Sequence, residues 1–277
     1  MGVFDSVFAS SVRQRVLAEL SERPRQRRDL LDDVDASKSA VYDALNELRD
    51  RDLLREGRAR RWESTGLGDL VADYVAARER TGDVLSTHAD FWASHDPTAL
   101  PEPFRDSLGA LQGSTRLTAP ETEPLRVVSE VVDVIERADR IDLIAPIYHD
   151  RYAAALERAA TDSDRDRTGS ARGDCAEVRL LLAVDVHREI DEREDAEWEP
   201  ENPAVRLANP SFSLLVTDDT VLLALPRDGG TYDPSEKLYA DSDRARDWGR
   251  RLFEHHWRDA TPLDALQRMD GATSRQQ

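Results

Sequence analysis

The sequence predicts a small α+β domain, three helices closed by a two-stranded hairpin, followed by a larger α/β domain. Three observations carry this expectation. Val41, Ala44, Leu45 and Leu48 recur at i, i+3, i+4 and i+7 and place one apolar stripe on a helix that starts in a serine-rich turn. The arginine-rich stretch REGRARRWEST follows at 55–65, with Gly57 where a hairpin would reverse. Farther on, unbroken apolar runs such as EVRLLLAV at 177–184 alternate with helical patterns, which is how a buried sheet covered by helices reads.

Taken in order, residues 5–21 form the first helix, with Phe8, Val12, Val16, Leu17 and Leu20 inward and Pro24 ending it. A short helix at 26–34 buries Leu30, Leu31 and Val34, and Asp35-Ala36 turns the chain into the helix and first wing turn at 37–54. Helix, short helix, turn and amphipathic helix is the order of a helix-turn-helix, and the arginine-rich hairpin after it makes a wing in which Trp62 pins the returning strand. A helix at 67–85 carries Leu70, Val71, Tyr74 and Val75. It either pairs with its twin in a dimer or packs on its own domain. Residues 91–111 contain three prolines and read as a bent connector.

The second domain starts near Pro120 with a helix on which Leu125, Val128, Val132 and Ile135 face inward. A strand at 140–145, a helix at 152–160 and the strand at 177–184 follow, separated by a polar loop at 161–174. The acidic stretch 187–201 reads as a short helix and exposed loop. Residues 212–217 and 220–225 flank Asp218-Asp219 as a hairpin, Asp228-Gly229-Gly230 turns again, and Ala245, Trp248, Leu252 and Phe253 mark a last helix. The expected organisation is 1–66 winged helix-turn-helix, 67–118 helical linker or dimerisation segment, 119–262 α/β domain and 263–277 flexible tail.

Charge separates these parts. The chain carries 38 basic and 56 acidic residues, a net of −18, yet residues 1–65 hold 13 of each sign. The first segment is therefore basic relative to its own chain. Lys38 and Lys237 are the only lysines. An acidic, arginine-biased surface points to a salt-rich cytoplasm, where screening keeps self-repulsion small. Cys175 stands alone, which excludes an internal disulfide or a thiolate cluster. With neither a signal-like start nor a membrane-length apolar run, the expectation is a cytoplasmic protein that does not meet a membrane.

The residues that would touch DNA follow from the motif. Arg25, Arg27 and Arg28 open the first helix of the pair, where they reach phosphates. Ser37, Lys38 and Ser39 open the second, where free amides favour a phosphate, and Tyr42 and Asn46 follow along it. Tyr42 either contacts DNA or packs on the domain. Arg55, Arg58, Arg60 and Arg61 give the wing its grip on the backbone.

Catalysis finds little support. The sequence has no P-loop, no GxSxG elbow, no HExxH and no dinucleotide fingerprint. His255 and His256 are adjacent and diverge on a helix, so they do not share a metal, and the carboxylates behind His187 read as a solvated face. No catalytic residue, metal or cofactor is expected.

The first 65 residues resemble the winged-helix domains of archaeal and bacterial ArsR/MarR-type regulators, whose recognition helix reads S-x-S-T-V-Y-x-A-L-x-x-L. Here Ser37, Ser39, Val41, Tyr42, Ala44, Leu45 and Leu48 match, with Asp52-Leu53-Leu54 in place of the family's GLV. The whole layout, with FWASHDPTALPEPF at 91–104, resembles haloarchaeal regulators that join a winged helix to a methanogenesis-regulatory-protein middle domain, akin to the sensor of TrmB-type sugar regulators. That resemblance implies a phospholipase-D-like α/β fold. The catalytic H-x-K-x4-D is missing, so it does not imply hydrolysis.

The reading is a homodimeric transcriptional regulator that binds double-stranded operator DNA and senses a small molecule or a protein partner. Pro146, Tyr148, His149, Asp185, Asn209, Ser211 and Phe212, near strand ends, are the expected pocket residues. A phospholipase-D-like hydrolase or nuclease with an accessory winged helix, and a protein-interaction scaffold, are the alternatives.

Overall fold

The computed structural model describes residues 2–120, 122–161, 175–191 and 204–263. Most of the polar loop at 161–174, most of the acidic stretch 187–201 and nearly all of the tail lie outside them. The chain divides into two compact units, Met1–Gly82 and Asp83–Gln277.

In the first unit the expected helix at 5–21 is two helices, α1 (Val3–Phe8) and α2 (Ser11–Glu22). Ser10 separates them: its backbone is extended and its Oγ accepts from Arg13 N at 3.3 Å, capping α2. After β1 (Arg25–Gln26) comes α3 (Arg27–Asp33) and then α4 (Lys38–Arg49), capped by Ser37 Oγ on Ala40 N at 3.2 Å. Val41, Ala44, Leu45 and Leu48 are all buried, as their spacing requires, against Val16, Leu17 and Leu20 of α2.

The wing is β2 (Leu54–Glu56) and β3 (Arg61–Ser64), and β1 joins as a third strand with Arg25 opposite Trp62. Trp62 is buried, as expected. The turn is not made by Gly57, which is extended. The left-handed residues are Ala59 and Arg60, at φ 58° and 57°. Gly57 matters for space instead, since a Cβ there would lie 3.1 Å from the Glu63 carboxylate.

Helix α5 (Gly66–Thr87) begins against the wing, where a Cβ on Gly68 would come within 2.1 Å of the Leu53 carbonyl. Its Val71, Ala72 and Val75 pack into the core of their own unit. Leu67, Leu70 and Tyr74 stay exposed on the stripe beside them.

The second unit includes residues 83–118, expected as linker. Here α6 (Ala89–Ser94), α7 (Glu102–Arg105) and short 3-10 turns put Phe91, Leu100, Leu108 and Leu111 into its core. The prolines bend this stretch, but its apolar residues cover a sheet.

That sheet has eight strands in the order β11-β7-β6-β5-β8-β9-β10-β4. In chain order they are β4 (Thr115–Thr118), β5 (Arg140–Ala145), β6 (Glu177–Ala183), β7 (Ala204–Ala208), β8 (Ser213–Val216), β9 (Val221–Ala224), β10 (Glu236–Ala240) and β11 (Thr261–Pro262). Neighbours β5, β6 and β7 run parallel, and every other pairing is antiparallel.

One face packs on α8 (Arg126–Arg137) and α9 (Asp150–Thr161), and the other on α11 (Asp243–Asp259) and the 83–111 stretch. Alternate residues therefore go to opposite cores: Leu180 and Leu182 to one, Leu181 to the other. On α8 the buried face is Val127, Val128, Val131 and Ile135. Leu125, expected inside, precedes the first turn and is exposed. The β8–β9 hairpin turns through Asp218-Asp219, with Thr217 N donating to the Thr220 carbonyl at 2.8 Å. Helix α10 (Val184–Asp191) follows β6.

Inside the sheet, Arg179 donates to Asp142 and to Glu254 of α11, each at 2.6 Å, and its guanidinium lies over the Phe253 ring. Among the described residues no helix is long and apolar enough to cross a membrane.

Candidate nucleic-acid interface and apolar pocket

The twelve residues expected at DNA fall into three groups. Arg25 is not available: its guanidinium, 11 % exposed, is clamped between Glu19 of α2 and Asp33 of α3 and ties these helices together. Arg55 is exposed but paired with Glu63 across the wing at 2.7 Å. Ser37 spends its hydroxyl on the cap of α4 and touches Ser39 Oγ at 3.1 Å.

The rest point outward. Arg28, Lys38, Ser39 and Asn46 are exposed, and so are Arg58, Arg60 and Arg61 at the wing. Arg27, also exposed, places its guanidinium 4.9 Å from the centre of the Tyr42 ring, and Lys38 approaches the same ring at 5.6 Å. Tyr42 is half-buried on the domain core, so it serves as the platform that holds two cations at the start of α3 and α4. Free amides of the α4 N-terminus lie beside them. The result is two cationic regions on one unit, the helix starts and the wing tip.

Of the expected pocket residues, Pro146, Tyr148 and His149 line one pocket at the C-terminal ends of β5 and β6. It is partly open to solvent. Leu143, Leu180 and Leu182 form its floor, Tyr152 and Leu156 of α9 one wall, and Ser213 and Tyr232 the rim. The other four expected residues are elsewhere. Phe212 is a core residue against the His256 ring, and Asp185 pairs with Arg188 at 2.8 Å. Asn209 Oδ1 accepts from Val184 N at 3.5 Å, and Ser211 does not line the pocket.

Two polar atoms in this pocket are buried without a hydrogen-bond partner: Tyr152 Oη and His149 Nδ1. Their rings stack at 4.4 Å. Burial pushes the Tyr152 phenol up and the His149 imidazole down, so both groups are neutral near pH 7. At the rim Lys237 Nζ donates to Tyr232 Oη at 3.0 Å. Sequence reasoning missed Tyr152 and Tyr232; the one looked like a helix residue, and the other lies in an irregular segment far along the chain.

Comparison with known proteins places two matches on these units. Residues 4–84 match the model of the HVO_A0261 N-terminal domain, and residues 124–259 match that of the methanogenesis regulatory protein FilR1, middle domain. Among solved structures, the chain is similar to TrmBL2, an archaeal chromatin protein, at 12 % identity and a TM-score of 0.38, covering 94 % of this chain and 98 % of that one. It is also similar to Lactococcus lactis ZitR, wild type, at 24 % identity and a TM-score of 0.26, covering 30 % of this chain and 57 % of that one. A third likeness is to RosA, the N,N-8-amino-8-demethyl-D-riboflavin dimethyltransferase of Streptomyces davawensis, at 15 % identity and a TM-score of 0.24, over 74 % of this chain and 62 % of that one. With TM-scores this low, the architecture rests on the chain itself. No curated protein matches the sequence significantly. The two matches follow one another along the chain, an HVO_A0261 N-terminal domain and then a FilR1 middle domain, each on its own unit.

Proposed function

We propose that the protein is a transcriptional regulator whose winged helix binds double-stranded operator DNA and whose α/β unit senses a small molecule. One observation carries the first part. Every cation expected at DNA except Arg25 and Arg55 is exposed and outside any ion pair among the described residues, and these cations cluster at the helix starts and wing. Ser39 and Asn46 stand on the exposed side of α4 to read base edges. A homodimer is supported by Leu67, Leu70 and Tyr74, which are exposed along one stripe of α5, Tyr74 with one edge against Phe4 and Phe8.

The pocket supports the second part through its apolar floor and its two unpaired polar atoms. Ligand entry there would shift the balance between operator-competent and incompetent arrangements. The mixed sheet is compatible with a phospholipase-D-like fold, and the missing H-x-K-x4-D speaks against a hydrolase.

Selecting genomic fragments with the full-length protein in molar KCl tests this reading. A recurrent sequence with two half-sites about one helical turn apart is the expected result. Binding without any sequence preference, or no binding, overturns it. Serine-to-alanine and asparagine-to-alanine changes at Ser39 and Asn46 should then relax the preference while leaving the fold intact.

A further inference from the structure

A second cluster of polar groups lies in the α/β unit, apart from the apolar pocket. His95 follows α6 and is fully buried, stacked on Phe91 with ring centres 4.2 Å apart. Its Nδ1 is 3.0 Å from the Phe91 carbonyl, to which only an N–H donates. Ser94 Oγ, 3.1 Å from the same nitrogen, sends its own proton toward the Asp90 carbonyl at 2.8 Å. Nδ1 therefore carries a proton and donates it to that carbonyl, which leaves Nε2 facing the opposite side.

Nε2 meets carboxylates. Nε2 is 3.8 Å from Asp233 Oδ2 and has no hydrogen-bond partner. Glu236 completes the group: one ligand atom each from His95, Asp233 and Glu236 fits within 4.8 Å of the others, and all three residues are buried. A separation of 3.8 Å is too long for a hydrogen bond in either protonation state of the ring. It is slightly wider than the edge of about 3.3–3.6 Å that a tetrahedral ion with bonds of about 2.0–2.2 Å sets between two ligands, so a small side-chain shift lets both bind one ion. A backbone carbonyl fixing the far nitrogen is the support that metal-binding imidazoles usually have.

We propose that His95 Nε2, Asp233 and Glu236 bind a single divalent transition-metal ion, zinc, with water in the fourth position. Imidazole with hard carboxylates suits this borderline ion, and three protein ligands leave its tetrahedron open. Two arginines now balance the carboxylates. Arg227 Nε and Nη2 lie 2.7 and 2.5 Å from Asp233 Oδ2, and Arg116 Nη2 lies 2.5 Å from Glu236 Oε1. The Arg227 side chain is 44 % exposed, and it would have to release Asp233 Oδ2 toward solvent for the ion to enter. Asp233 Oδ1 stays held by Ser235 N and Oγ at 2.9 and 2.6 Å. The ion would cross-link the segment carrying His95 to the turn and strand carrying Asp233 and Glu236. This stands whether or not the chain binds DNA.

The test uses full-length, chelator-stripped protein in molar KCl with excess magnesium, which suppresses weak binding by surface carboxylates. Zinc is titrated against a chromophoric chelator, and thermal unfolding is followed with and without it. A single tight zinc per chain is expected. His95→Gln and Glu236→Gln should each weaken it by about tenfold or more and abolish the zinc-induced rise in melting temperature. Cobalt should give the visible bands of a tetrahedral nitrogen–oxygen site. Zinc binding equal in wild type and variants, or none, overturns the proposal. A sulfur-to-cobalt charge-transfer band does so too, because it would assign the ion to Cys175. If both variants fail to fold, the wild-type cobalt spectrum decides, and a spectrum without tetrahedral bands refutes the site.

Discussion

Removing the wing cations gives the sharpest test of the DNA reading. Of the eight cations expected at DNA, Arg25 is clamped by Glu19 and Asp33, and Arg55 is paired with Glu63. That leaves Arg27, Arg28, Lys38, Arg58, Arg60 and Arg61 exposed. If each neutralises one phosphate, log K should fall with log salt at a slope of about −5.4 per protomer. Arg58→Ala/Arg60→Ala/Arg61→Ala should reduce that slope to about −2.7 and weaken binding equally for all sequences. Fluorescence anisotropy with a random-sequence duplex, on the limb where affinity falls with KCl, measures both quantities. Arg25→Ala is the control. It should lower the melting temperature, because two carboxylates lose their partner, and leave the slope alone. An unchanged slope in the triple variant, or a lower slope in Arg25→Ala, would show that the cations at DNA have been misassigned.

Other changes probe the α/β unit. Tyr152→Phe deletes a buried hydroxyl that has no partner in the pocket, so it should leave stability unchanged or raise it by about 1 kcal/mol, while weakening the proposed ligand's effect on DNA binding. A clear drop in melting temperature would mean that the hydroxyl is bonded. Arg179→Met leaves Asp142, 1 % exposed, without its main partner and should cost about 3–5 kcal/mol in urea unfolding. Adding Asp142→Leu should recover most of that loss, and failure to recover would show that the pair does more than balance charge. Burial lowers the pKa of His88, His149 and His256 from the ordinary value of 6.5. Between their folded values and 6.5 the unfolded chain binds more protons, so stability is full above about pH 7 and is lost as pH falls below 6.5. The slope is at most about 1.4 kcal/mol per pH unit per histidine, less for the partly exposed His149 and His256. A melting temperature that stays flat from pH 7 to about pH 5 would contradict this sign.

The parts legible in the sequence are those with one dominant periodicity. Helix α4 and its serine cap, the strands at 140–145 and 177–183, and the Asp218-Asp219 hairpin each declare themselves through an unbroken stripe or run. Strands β1 and β11 hold two residues each, too few for any pattern. Strands β4 and β7 sit toward the sheet ends, where polar residues interrupt the alternation, and β10 buries Glu236 and Lys237, which composition assigns to the surface. The prolines at 97–103 mark bends correctly but conceal that Phe91 and Leu100 cover the sheet. The pocket lies at strand ends. Which loops meet there depends on strand order, and so Tyr152 and Tyr232 join it while Asn209 and Phe212 do not. The same reason hides His95, Asp233 and Glu236.

The proposed function sets a chain with a net charge of −18 against a polyanion. Residues 1–65 are neutral overall, so the repulsion comes from the rest of the chain. At about 0.01 M salt the screening length is about 30 Å, comparable to a domain, and the acidic residues act on DNA from a distance. At about 1 M it is about 3 Å, and only groups in contact with phosphates are felt. Repulsion therefore disappears first as salt rises, while the contacts of the wing and helix starts weaken steadily through lost counterion release. Affinity for a random duplex should then pass through a maximum at intermediate KCl, with circular dichroism confirming the fold at each point. A monotonic fall from the lowest salt would show that the acidic unit stays too far from DNA to matter. A monotonic rise would show that Arg58, Arg60 and Arg61 do not touch phosphates. With so few cations available, discrimination between sequences would then rest on the proposed hydrogen bonds of Ser39 and Asn46 to base edges, which are short-ranged and lose little to screening.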